Sequence, residues 1–127
     1  MVIDTSSAMV ETGYLDLAAE GARGMIPHLR GVGLDTQIGV VIADAENAEA
    51  SGRLVQLDQV PGRRWISGAD MMTDAQASRW LWFAVGDHEP QVGIPAGRQV
   101  VDQALFDLSD DVNNGFFRTS ANLAVVF

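Results

Sequence analysis

The chain has 127 residues, eight basic side chains against 17 acidic ones for a formal net charge of -9, and 47% hydrophobic residues. That is enough apolar material for one core, so a single folded domain over residues 1–127 is expected and a wholly disordered chain is excluded. The acidic balance speaks against sequence-independent binding to nucleic acid or to an anionic membrane, which need cationic side chains to neutralise phosphate.

The N-terminal stretch carries Asp4, Glu11, Asp16 and Glu20 where a secretory signal would need a basic start and an unbroken apolar run. With no stretch approaching the ~20 apolar residues of a membrane helix, a soluble protein is expected. Tyr14, Ala18, Ala22, Met25, Ile26 and Leu29 recur near helical spacing and predict a helix over Tyr14–Leu29. Gly21 and Gly24 weaken it, at about 1 kcal/mol each relative to alanine.

Gln37–Ala43 reads as a strand with Ile38, Val40 and Ile42 on one face. Arg53–Val60 reads as a second, and the polar loop between them suggests a long-loop antiparallel hairpin. Pro61–Arg64 is a turn. The segment Ser78–Asp87 (SRWLWFAVGD), taken as a strand, has Trp80, Trp82 and Ala84 on one face and Leu81, Phe83 and Val85 on the other, so it would need cover on both sides. Arg98–Leu108 has an apolar stripe through Val100, Val101, Ala104, Leu105 and Leu108, which predicts a helix. Phe117–Phe127 alternates and predicts a half-buried terminal strand. The expected fold class is mostly β or α+β: a small antiparallel sandwich or barrel-like sheet with one or two short helices.

All eight basic residues are arginine, a bias that fits a GC-rich or a halophilic source. The missing lysines exclude Schiff-base and phosphate-cradling lysine chemistry. The missing cysteines exclude disulfides and thiolate sites.

The candidate sites are sparse. His28 and His88 share no metal-ligand spacing, and the pair His88–Glu89 reads as a solvated turn. A triad drawn from Ser67 and His88 lacks a nucleophile elbow. Asp107, Ser109, Asp111 and Asn113 alternate like calcium-loop ligands, but Val112 and Arg118 stand where that loop needs its glycine and glutamate. Gly31–Thr36 is only the start of a dinucleotide fingerprint, and Gly93–Arg98 offers helix-start amides without a P-loop pattern. No catalytic, cofactor-binding or metal residues are assigned.

Arg63, Arg64, Trp65, Arg79, Trp80, Trp82 and Phe83 form the candidate interface, because Trp and Arg dominate protein-protein hot spots. Arginines in an acidic chain suit carboxylates, their own or a neighbour's.

Asp35–Met71 joins an apolar strand ending in GVVIAD, an acidic Asp/Ala/Ser loop, and a second strand leading toward GRRWISGAD. In this it resembles the central part of small capsid decoration proteins of tailed viruses. The resemblance implies a β-rich, non-enzymatic, often trimeric protein that staples capsid subunits on the virion surface. No site residue carries over from it.

The first functional reading is therefore a structural or interaction protein, self-associating and docking on a larger assembly such as a capsid, found in the virion or otherwise the cytoplasm. The second is a small α+β ligand-binding domain or enzyme whose pocket is lined by Trp65, Trp82 and Phe83, with Asp87 or His88 titrating. Charge divides unevenly: three arginines face nine acids up to Val60, and five face eight beyond it.

Overall fold

The computed structural model describes residues 1–31, 33, 35–44, 47, 50–57, 62–67, 74–86, 97–107 and 111–123. Its elements in chain order are β1 (Val2–Ile3), α1 (Ser7–Glu11), α2 (Tyr14–Gly31), β2 (Gln37–Gly39), β3 (Val41–Ile42), β4 (Trp65–Ser67), α3 (Asp74–Gly86) and α4 (Gly97–Asp102). The last runs on into a π-helical turn, Gln103–Asp107.

Helices α2 and α3 make the main packed pair. Leu15, Ala19, Ala22 and Ile26 bury one stripe of α2, and Ala77, Trp80, Leu81, Ala84 and Val85 bury one stripe of α3. The alanines leave room for close approach, and the Ser78 hydroxyl donates to the Arg23 carbonyl across the contact at 3.2 Å.

Residues 37–42 form a central strand with neighbours on both edges. On one edge β1 runs parallel to β3, Val2 opposite Val41 and Ile3 opposite Ile42. The parallel pairing requires the crossover that α1 and α2 supply. On the other edge β4 runs antiparallel to β2, with Gly39 opposite Trp65. There the Val55 N–H also donates to the Val40 carbonyl at 2.8 Å, and Val41 and Leu54 form an isolated antiparallel bridge.

Side chains of these strands alternate between two cores. Ile3, Val40, Leu57 and Ile66 join α2 and α3 in one cluster, whereas Val2, Val41, Leu54 and the partly buried Trp65 join Val100, Ala104, Phe116 and Phe117 in another. Period two in the strand is what sorts neighbours to opposite faces. The short sheet is thus covered on both sides, the arrangement that parallel pairing favours.

The expected antiparallel sandwich or barrel-like sheet is overturned. The described residues are about 48% helical and 14% strand, and among them the strands make two small two-stranded sheets. The aromatic segment taken as a strand is helix α3: its buried positions 77, 80, 81, 84 and 85 follow helical spacing, and tertiary burial of that stripe overrides the β-preference of Trp and Phe. Of the residues on its two expected strand faces, Trp80, Leu81, Ala84 and Val85 share one buried helical face, and Trp82 and Phe83 lie off it, partly buried. Residues 117–123 of the expected terminal strand form bends and turns, and 124–127 lie outside the described residues. The expected hairpin survives as the single Val41–Leu54 bridge. The helices expected near Tyr14–Leu29 and Arg98–Leu108 are found as α2 and as α4 with its π turn.

Gly39 sits where the central strand meets both the Leu54 and the Phe116 side chains. A Cβ there would lie 2.5 Å from Leu54 Cδ2 and 3.1 Å from the Phe116 ring. Gly39→Ala is expected to lower stability by about 1–3 kcal/mol through overpacking, read as a lower urea midpoint at unchanged m-value.

Candidate functional site

The seven candidate interface residues do not form one patch. Trp65 belongs to the cluster with Phe116, its ring centroid 5.9 Å away, whereas Trp80 and Trp82 belong to the α2–α3 cluster on the other face of the sheet. A pocket lined jointly by Trp65 and Trp82 is therefore not what the fold builds. Asp87 and His88, its suggested titrating groups, lie outside the described residues.

Arg64 serves its own fold: its Nη1 donates to the Leu54 carbonyl at 2.6 Å. The Arg63 carbonyl accepts from the Leu57 N–H at 2.8 Å, tying the two limbs of the turn around Gly62. Trp80 is core, at 7% exposure.

Arg79, Trp82 and Phe83 remain together. On α3 they fall on the side away from Ala77, Leu81 and Ala84, with Arg79 exposed and both rings partly buried. The Arg79 guanidinium carbon lies 5.6 Å from the Phe83 centroid, the i,i+4 partner on the helix. Trp82 meets Phe83 edge-on at 5.1 Å and 85°. The result is a guanidinium-aromatic ridge.

The calcium-loop alternation dissolves into a structural role. Asn113 is fully buried: its Oδ1 accepts from the Leu54 N–H at 3.0 Å and its Nδ2 donates to the Gly52 carbonyl at 2.8 Å. A side chain holding two backbone groups in this way is not poised to ligate a cation. Ser109 lies outside the described residues, and Asp111 is exposed. His28 is exposed on α2, and among the described residues no three His, Cys, Asp or Glu side chains gather as a metal centre.

Two features escaped the sequence reading. At the carboxyl ends of the parallel strands β1 and β3, the edge where open α/β sheets bind ligands, the chain places Asp4, Thr5, Ser6 and Asp44. Asp4 Oδ1 accepts from the Ser6 N–H at 2.8 Å, Asp44 Oδ1 accepts from the Asn47 N–H at 3.2 Å, and the Thr5 hydroxyl is buried without a hydrogen-bond partner among the described residues. The signal that could have found them is the run VIDTSS, a short apolar strand breaking into oxygen side chains.

The second feature is a groove of about 600 Å³ on the Phe116 side of the sheet, lined among others by Met25, Leu29, Gln37, Val101, Leu105 and Phe116. Arg118 closes one rim, its Nη1 2.6 Å from Asp35 Oδ2 and its Nη2 2.9 Å from the Asp35 carbonyl. Met1 also lines the groove, and its amine donates to the Gly39 carbonyl at 2.6 Å; burial holds the amine pKa below the ordinary value. No pairing in the sequence could join residues 25–41 to 101–123 in this way.

Among the described residues no helix is long and apolar enough to cross a membrane. No protein-family model, curated protein or solved structure matches this chain.

Proposed function

We propose that the chain is an interaction protein that associates with copies of itself through the outer side of α3, as a component of a larger assembly. The observation that carries this reading is the ridge of Arg79 over Phe83 with Trp82 edge-on against it, outside the core stripe of the helix. A preorganised arginine and two aromatic rings are the side chains that concentrate binding energy at interfaces. In a chain of net charge -9, the natural acceptors for that guanidinium are carboxylates of a second copy. Placement of the assembly in a virion rests on the resemblance of Asp35–Met71 alone, and the β-rich fold which that resemblance implies is not the one found.

Self-association is expected in light scattering, strengthening as added salt screens the mutual repulsion of two acidic chains. Phe83→Ala and Arg79→Ala should each weaken it by about tenfold or more, on the order of 1.4 kcal/mol, with unchanged circular dichroism. A monomer at all protein and salt concentrations would overturn the reading.

A further inference from the structure

The outer side of α2 is left uncovered among the described residues. Tyr14, Leu17, Gly21, Gly24 and His28 recur at intervals of three and four and are all exposed, on the side of the helix away from the buried stripe of Leu15, Ala19, Ala22 and Ile26. Two of them are large and apolar, Tyr14 at 57% and Leu17 at 68% exposure. The glycines open a gap beside these side chains, for among the described residues nothing lies within 4 Å of a Cβ added at either position. Asp16 and Glu20, one helical turn apart and both exposed, border the stripe on one side. Glu20 holds Arg23 at 3.3 Å, an exposed pair that contributes little and yields readily to another guanidinium. The α3 ridge has the complementary make-up, an exposed cation at Arg79 beside two partly buried rings. Among the described side chains of α3 no carboxylate is exposed, so a twofold contact of α3 on α3 would give Arg79 no acceptor from the facing helix.

We propose that the α3 ridge of one chain seats on the outer face of α2 in a second copy, with Trp82 and Phe83 packed against Tyr14 and Leu17 over the glycine gap and Arg79 paired with Asp16 and Glu20. The inference rests on the self-association reading above and names the surface that receives the ridge. Charge complementarity selects that surface: it joins apolar side chains to bordering carboxylates, which is what a guanidinium flanked by rings requires. Because the two faces differ, the contact is heterologous, and every docked copy leaves one ridge and one α2 face open. The assembly therefore grows past the dimer, into a ring or a filament.

The test is light scattering of the full chain and of charge-swapped variants at one salt concentration. The wild-type chain is expected to grow past the dimer as its concentration rises. Arg79→Glu, and Asp16→Arg combined with Glu20→Arg, should each weaken association by about tenfold or more, the second although it makes the chain less acidic. An equimolar mixture of the two variants should restore it, because each ridge then meets an α2 face of opposite charge. Gly21→Gln fills the gap with a better helix former. It should weaken association similarly with unchanged circular dichroism, and it is the deciding variant where a swapped chain does not fold. An assembly that stops at the dimer, a mixture of folded variants that does not recover, or a Gly21→Gln chain that associates like the wild type would overturn this inference and leave self-association through α3 standing. A monomer at all concentrations would overturn both.

Discussion

Asn113→Ala is expected to lower the unfolding free energy by about 3–5 kcal/mol, on the scale of the whole stability of a small domain. The wild-type side chain satisfies two backbone groups at once, the Leu54 N–H and the Gly52 carbonyl, from 59 and 61 residues away in sequence and at 0% exposure. Alanine leaves both groups buried and unpaired, each at roughly 1–3 kcal/mol. Asn113→Asp is a sharper test of the same claim. It keeps an acceptor for the Leu54 N–H but turns a second oxygen on the Gly52 carbonyl and buries a charge, so it should be no more stable than alanine at neutral pH. Urea unfolding followed by tryptophan fluorescence measures both. A loss below about 1 kcal/mol in each variant would mean that the segment 111–117 is not docked on residues 52–54 as described.

Gly52→Ala is expected to cost about 3 kcal/mol, for two reasons that add. Its φ of +69° lies in the left-handed region, where an L side chain is disfavoured by about 1–2 kcal/mol. A Cβ would also lie 2.6 Å from Gln103 Cβ and 3.0 Å from the Ala104 backbone nitrogen, and because one contact is backbone the neighbour cannot simply rotate away. The Ser51 hydroxyl donates to Gln103 Oε1 beside it, so the loop is anchored on the π turn by a polar contact as well. Thermal unfolding should show a lower midpoint for both variants, with a loss of only about 1–2 kcal/mol for Gly62→Ala. Gly62 shares the positive φ, at +79°, but among the described residues nothing lies within 4 Å of the added Cβ, so its penalty is the backbone preference alone. Equal losses at the two positions would assign the whole effect to conformation and remove the close packing of residues 51–52 on the π turn.

Much of the local structure was legible. The helical spacing at 14–29 marked α2 despite its glycines, because propensity is a small term beside burial of an apolar face, although of the expected stripe Ala22 and Ile26 are buried while Tyr14 is exposed and Leu15 and Ala19 complete the buried face. The apolar run at 37–43 marked the central strand. The aromatic run at 80–83 misled, since a short segment that is apolar at nearly every position satisfies both the two-residue and the 3.6-residue periods. What separated them was the partner: Leu15, Ala19, Ala22 and Ile26 of α2 pack against the stripe that α3 buries at helical spacing.

The candidate site was legible in part. Arg79, Trp82 and Phe83 lie close in sequence, and a helix keeps them together. Arg63, Arg64 and Trp65 were grouped with them by residue type, yet the alternation of β4 sends Trp65 to the opposite face of the sheet from Ile66 and the tryptophans of α3.

Composition and periodicity, read alone, specified an acidic chain without lysine, with enough apolar material to fold and with amphipathic segments at 14–29 and 98–108. Those properties are local or additive, and each residue carries them wherever the chain goes. Tertiary structure decided the rest: the parallel pairing of β1 with β3, the two cores on either side of one thin sheet, the burial of Asn113 against residues 52–54, and the groove that gathers Gln37, Leu29, Val101 and Phe116. These depend on contacts between segments tens of residues apart. Their free energy arises only when partner surfaces exclude water together, so no window of sequence contains them.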